Sequence, residues 1–350
     1  MPVMKTIATT EAVGTVLCHD ITRISPEDGF KGPVFRKGHV VREEDIPALL
    51  RVGKEHLYVY QPEPGLLHEN EAAARIAAAV AGQNLTLSDV REGRINFLST
   101  CQGLVRVDVP TLTAVNACDD ISLATLHTLQ EVRKGQAVAG TRVVPLLIEE
   151  AKIAAVERLV SRPIIEVLPF AAFRVGMVTT GSEVYHGRIE DAFGPVLREK
   201  FAALGCSVMG QSLSDDSIAM TAQGIAAFLE QGADMVVCTG GMSVDPDDRT
   251  PAAIRAVVDA WGGSVTTYGT PVFPGAMFLM AQVTAAGRPV PVLGLPGCVM
   301  YHRASIFDLV VPRILAGLPV TRADIAALGH GGFCSGCAEC HYPQCAFGKW

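Results

Sequence analysis

Three absences each remove a class of function from this chain. The first residues, MPVMKTIATTEAVG, hold no apolar core of the kind a secretory signal needs, so a cytoplasmic protein is expected. No uninterrupted apolar stretch reaches the roughly 18 to 20 residues of a membrane span. No long run of Lys or Arg appears, and the formal net charge is −7. That balance argues against nucleic acid or an anionic membrane as the main partner. What remains is an ordinary globular composition of 350 residues, 49% hydrophobic and 19% charged, enough for two or three domains. Cysteine breaks the ordinariness. Ten are present, and Cys334, Cys337, Cys340 and Cys345 crowd the end of the chain. With no export signal, such a cluster points to a metal site rather than to disulfides.

Glycine and proline punctuate the chain into four parts. Residues 1–65 carry short extended runs (TVLCHDI, PVFRKGHVV, EHLYVY) and a short helix, REEDIPALLRVG; they read as a β-rich module ending in the linker QPEPG. Residues 66–170 read as an α/β module. A helix, HENEAAARIAAAVAG, precedes the strands INFLST, LVRVDV, ISLATL and AVAGTRVVPLLI, and a second helix, EEAKIAAVERLVS, precedes the strand IIEVLPF. From residue 171 to 325 strands and helices alternate: FRVGMVTT, GPVLREKFAALG, SVMGQSL, DSIAMTAQGIAAFLEQG, ADMVVC, TPAAIRAVVDAWGG, SVTTYGTPV, FLMAQV, PVLGLPG and one long helix from Val299 to Gly317. This alternation implies an α/β domain with a doubly wound, largely parallel three-layer sheet, whose ligands bind at the carboxyl ends of the strands. Residues 326–350 are the cysteine-rich tail.

TGGMSVDPDD, from Thr239 to Asp248, is the most informative stretch. It joins a buried strand to a helix predicted to start with Thr250 as N-cap and Pro251 at its first position. A strand, a glycine turn and a helix start aim backbone N–H groups and the positive helix end at one spot. Asp245, Asp247 and Asp248 stand there too. Carboxylates beside an anion site repel one another unless a cation bridges them, so a phosphate-bearing ligand held with Mg²⁺ is the economical reading. In TTGSE, Thr180, Gly181 and Ser182 could contact phosphate, and Glu183 is either a ligand or a first-turn acid that the helix dipole favours. In LSDDSI, capping explains one of Asp215 and Asp216. LPGC is a connector or a further site loop.

In this order, TGSE, SDDSI, GGMSVDPDD and LPGCV resemble the loops of the molybdopterin-binding domain of molybdenum cofactor biosynthesis proteins, over Phe173 to about Gly317. The resemblance is to the molybdopterin molybdenumtransferases, which insert molybdate into adenylylated molybdopterin using Mg²⁺. It implies functional acids at Glu183, Asp216 and Asp248. It also implies cofactor contacts from Thr180, Gly181, Ser182, Gly240, Gly241, Ser243, Asp245, Pro296 and Gly297, and a homodimer. The departures are specific. Ser182 and Asp245 replace the usual Asp and Gly, Cys298 and Val299 replace Asn and Pro, and FPGAM puts Ala276 where a lysine is usual. Losing one charge-assisted contact at a buried anion costs roughly 1.5–3 kcal/mol. Arg249, His302 and Arg303 could substitute. A non-catalytic carrier or sensor serving a molybdenum or tungsten enzyme is therefore the second reading. A nucleotide hydrolase, suggested by the acids and glycines alone, is the third.

The tail, GHGGFCSGCAECHYPQCAFGKW, spaces its cysteines C-x2-C-x2-C-x4-C. That spacing predicts one thiolate centre, a Zn²⁺ site or a 4Fe–4S cluster, held by Cys334, Cys337, Cys340 and Cys345. Cys206 and Cys238 are expected to pack in the core. His19, Asp20 and Arg23, in HDITR, belong to a turn with a salt bridge or to a ligand contact.

Overall fold

The computed structural model describes residues 6–25, 29–58 and 64–349. Most of the predicted linker QPEPG lies outside them. The chain forms two compact units, one of residues 1–100, 107–126 and 135–166, the other of residues 101–106, 127–134 and 167–350.

The second unit is built on six strands: β1 (Arg174–Thr180), β2 (Ser207–Ser214), β3 (Met235–Thr239), β4 (Ser264–Tyr268), β5 (Leu279–Ala285) and β6 (Arg288–Leu295). Their order is β2-β1-β3-β6-β5-β4. The pairs β1–β2, β1–β3 and β3–β6 are parallel, whereas β5 is antiparallel to both its neighbours, so β5 alone opposes the rest. All five residues of β3 are buried, as an apolar run covered on both faces must be. Alternation along the strands then fills two layers. Met177, Met235, Val237 and Leu293 share a core with Leu197 and Phe201 of α1 (Phe193–Ala203) and Phe307 and Val310 of α4 (Ile306–Leu315). Val178, Val236, Cys238 and Val292 share the opposite core with Ile225 and Phe228 of α2 (Ile218–Glu230) and Ile254 and Val257 of α3 (Thr250–Trp261). The result is the expected three-layer α/β sheet. Gly176 is required for it, because a Cβ there would lie 2.6 Å from Phe228 Cβ.

Two predicted elements differ. The long helix from Val299 to Gly317 is a turn, Cys298–Tyr301, followed by α4. His302 is extended between them, and Ser305 restarts the helix through a reciprocal cap with Asp308. The predicted strand AVAGTRVVPLLI is broken into Ala137–Val143 and Leu147–Glu149, with Pro145 between them, where a missing N–H cannot serve a ladder.

The first unit carries a four-stranded antiparallel sheet, ordered Leu85–Leu87, Arg94–Ser99, Ala137–Val143 and Ile121–Thr125. Helices Glu69–Val80 and Glu150–Leu159 also belong to this unit. Near its start, the hairpin Ile21–Ser25/Phe30–Phe35 and helix Ile46–Arg51 accompany a small core of Ala12, Leu17, Ile21, Val41, Leu49 and Leu57.

Candidate ligand site at the strand ends

The strand order reverses direction at β1, which sends the chain to β2 on one side and β3 on the other. The crevice outside the carboxyl ends of β1 and β3 is thus the topological switch point, where open α/β sheets bind ligands. Register puts Thr179 opposite Thr239, and Thr239 opposite Leu295, so the loops after β1, β3 and β6 leave side by side.

Hydroxyl groups tie these loops together. Thr180 is buried, and its Oγ1 donates to the Thr239 carbonyl at 3.2 Å. The Thr250 hydroxyl donates to the Gly240 carbonyl at 2.8 Å and lies 2.9 Å from Thr180 Oγ1. Thr250 was expected to cap α3. Instead Arg249 occupies the N-cap position, and Thr250, one residue into the helix, clamps the glycine turn. Gly240 and Gly241 both have positive φ, at 81° and 54°. A Cβ on Gly240 would run into the Thr180 carbonyl, and one on Gly241 would lie 2.9 Å from Thr250 Oγ1. Only glycine fits this knot.

The acids are distributed among structural tasks. Asp216 was one of two candidates for capping α2, but Ser217 caps it. Asp216 Oδ2 instead accepts from the Ser182 N–H at 3.1 Å and the Ser182 hydroxyl at 2.9 Å, so it holds the turn after β1. An aspartate at position 182 could not donate that second bond. Asp215 accepts from the Ser217 N–H. Asp248 Oδ2 accepts from the Ser243 N–H at 2.9 Å, closing the loop in which Ser243, Val244, Asp245 and Asp247 are exposed. Glu183 is exposed, its Oε1 about where a Cβ on Gly181 would touch it, at 3.2 Å. Asp191 caps α1 through the Phe193 and Gly194 N–H groups and receives Gln211 Nε2.

Thr180, Gly240 and Gly241 are therefore brought together, Ser182 joins Asp216, and Ser243 joins Asp248. Pro296 and Gly297 follow β6, beside the glycine turn. Among the described residues no group of three or more His, Cys, Asp or Glu could by itself hold a metal. Glu183, Asp216 and Asp248 thus do not form an all-protein cation site. Sequence reasoning missed the network in which Thr239 donates to Thr179 and Gln211 donates to Thr179 and Asp191. Its signal was the threonines that end β1 and β3. Ala276 lies in a tight turn where its carbonyl accepts from the Thr270 N–H at 3.0 Å. Burial pushes the Cys298 thiol pKa up, which keeps it protonated.

Cys334, Cys337, Cys340 and Cys345 are not gathered into a metal-holding group. Stronger anchors set the path of this segment. Phe347 is 5% exposed and Tyr342 donates its hydroxyl to the Asp308 carbonyl at 2.8 Å, while the Cys334 N–H donates to Phe273 O at 2.8 Å. Cys334, Cys340 and Cys345 pack against the same core as Phe347, and Cys337 is exposed. Cys206 and Cys238 are buried as expected.

Residues 176–316 match a family described as probable molybdopterin binding domain. This stretch is a domain of that family. Residues 6–61 match a second family, described as domain of unknown function (DUF8806). Among curated proteins, the CinA-like protein of Mycolicibacterium gilvum (strain PYR-GCK) is 34% identical over 77 residues, covering 22% of this chain and 18% of that protein. The CinA-like protein of Mycobacterium avium (strain 104) is 32% identical over 83 residues, covering 24% and 19%. The chain thus spans under a fifth of these relatives' length. Among solved structures, the tungsten cofactor synthesizing protein MoaB from Pyrococcus furiosus covers 42% of this chain and 96% of its own, at 21% identity and a TM-score of 0.34. The molybdopterin biosynthesis enzyme MoaB from Thermus thermophilus covers 42% and 98%, at 22% identity and a TM-score of 0.33. The matched residues 176–316 contribute to both cores of the second unit, and the candidate ligand loops lie within them. No helix of the described residues is long and apolar enough to cross a membrane.

Proposed function

We propose that the molybdopterin-binding domain takes molybdopterin by its phosphate at the strand ends and serves molybdenum cofactor biosynthesis. The observation that carries this reading is the clamped turn Gly240–Gly241. Its glycines are fixed at the switch point against Thr180 and against Thr250, the first residue of α3. Such a turn offers backbone N–H groups and a helix end to an anion without moving. The reaction we assign is insertion of molybdate into adenylylated molybdopterin. Asp216 orders the turn that carries Ser182, and Asp248 orders the loop that carries Ser243, so each acid fixes a loop beside the glycine turn. Asp216 and Asp248 would be the residues to hold Mg²⁺, which would supply charge neutralisation at the pyrophosphate; such a cation needs no all-protein cage.

Ala276 and the LPGCV turn favour a second reading, a non-catalytic carrier or sensor of the cofactor. Titration of anaerobically purified protein with adenylylated molybdopterin, with and without Mg²⁺ and molybdate, separates the two. Molybdate-dependent release of AMP is expected for the transferase, and binding without turnover for the carrier. Asp248→Ala is expected to abolish the Mg²⁺-dependent activity while leaving the fold intact, because the loop is exposed on a rigid sheet. Undiminished activity in that variant would remove Asp248 from the mechanism.

A further inference from the structure

Strand direction sets one edge of the second unit apart. The carboxyl ends of β1, β2, β3, β4 and β6 lie there, together with the start of β5, which alone runs the other way. Among the described residues from 167 onward, the large apolar side chains left exposed stand on this edge, Val244 after β3 and Tyr301 after β6 among them. The acids Glu183, Asp245 and Asp247 are exposed in the same loops. Apolar surface rimmed by polar groups beside a ligand crevice marks a place of contact.

Two of these side chains are fixed against each other. The connection between β4 and β5 supplies Phe273, and the tail supplies Phe333. The Phe273 N–H donates to Gly332 O and the Cys334 N–H donates to Phe273 O, both at 2.8 Å, which makes one parallel bridge between the two segments. A Cβ on Gly332 would run into the carbonyls of Leu328 and Pro271, so glycine lets the tail come this close. The same connection is tied down at two more points. The Ile306 N–H donates to Pro274 O at 3.1 Å, and the Tyr268 hydroxyl donates at 3.4 Å to the carbonyl of Met242, the residue after Gly241. The rings themselves stay outside. Phe333 is 76% exposed and Phe273 is 54% exposed, with centroids 6.3 Å apart and planes inclined at 45°. Rings this exposed add little to the stability of the fold, because their apolar area remains in water. On a backbone already held by hydrogen bonds, they offer flat apolar faces without reorganisation.

We infer that Phe273 and Phe333 form an aromatic platform on which the flat nitrogen heterocycle of the ligand stacks, apart from the glycine turn that takes its phosphate. Stacking needs only the π-face that every such ring has. By themselves, two phenylalanines fall far short of the roughly 800 Å² per partner that a stable protein interface buries, but they match the size of one fused ring. The choice of a pterin ring rests on the molybdopterin reading of the strand-end site. The platform itself rests on the exposed, bridged pair.

Pterin without phosphate is the probe, its fluorescence followed as the full chain is added. Phe333→Ala is expected to weaken binding about fivefold or more, the range for loss of one stacked ring. Phe333→Trp keeps a stacking face and is expected to stay within about twofold of the wild type. Val144→Ala, an exposed apolar truncation in the first unit, is the control and is expected to change nothing. A thermal melt of each variant checks that the fold is kept. Binding insensitive to Phe333→Ala overturns the inference. So does an equal loss in Phe333→Trp or in Val144→Ala, or no binding at all at millimolar pterin. Failure of the strand-end reading would show separately, as binding of adenylylated molybdopterin that Gly240→Ala does not weaken.

Discussion

At the scale of single residues, the strand-end site depends on groups too small to stand out in a sequence. The Thr250 hydroxyl donates to the Gly240 carbonyl and lies against the Thr180 hydroxyl in a buried position. Thr250→Val keeps the shape and leaves the carbonyl unsatisfied, at about 1–3 kcal/mol. We expect a lower unfolding midpoint in urea and weaker ligand binding together. A variant that bound normally would show that the clamp is not part of the site. Gly240→Ala is more severe, since the added carbon meets backbone and φ is 81°. Calorimetry is expected to show loss of ligand heat before loss of the unfolding transition, because relief is local to the turn.

At the scale of elements, capping decides where helices begin. Ser305 with Asp308 restarts α4 after an extended His302, a break hidden inside an apolar run. The helix Arg322–Ala327 starts the same way. Thr321 donates its N–H at 2.7 Å and its hydroxyl at 2.6 Å to Asp324. The Thr321 hydroxyl and N–H hold the Asp324 carboxyl below its ordinary value of 3.8, with Arg313 contributing. A depressed folded pKa gives stability that is full above the unfolded value and is lost as pH falls through the folded one. Wild type should therefore exceed Asp324→Asn in stability at pH 7, with the gap narrowing below about pH 4. Urea unfolding at pH 7 and pH 3 tests this, and a constant gap would assign the difference to packing.

At the scale of the whole molecule, the tail belongs to the second unit instead of trailing from it. Phe347 is buried and meets Tyr342 edge-on at 6.2 Å between ring centroids. Gly348 lies so close to Leu309 of α4 that no side chain fits there. Phe347→Ala is expected to cost about 3–5 kcal/mol, within the range for buried aromatic truncations. Deleting residues 329–350 should lower the melting temperature of the domain by more than that single change. An unchanged melt would return the tail to the detachable appendage its composition suggests.

The alternation of apolar strands and amphipathic helices from residue 171 specified the three-layer sheet, because each pattern has one way to bury its apolar face. The glycines of TGGMSV marked the tight turn after β3 for the same local reason, since a positive-φ turn admits little else. Burial of Cys206 and Cys238 followed from their place beside apolar runs. Tertiary structure alone decided which hydroxyl clamps that turn, because Thr180 and Thr250 are 70 residues apart in sequence. It assigned Asp216 to Ser182 for the same reason, as a carboxylate takes whatever donor folding brings near it. It also set the anchors of the tail, Phe347 in the core and the Tyr342 hydroxyl on the Asp308 carbonyl, which the cysteine spacing does not announce. The buried Nδ1 of His19, without a hydrogen-bond partner among the described residues, became visible only there too, because being unsatisfied is a property of surroundings that no sequence position carries.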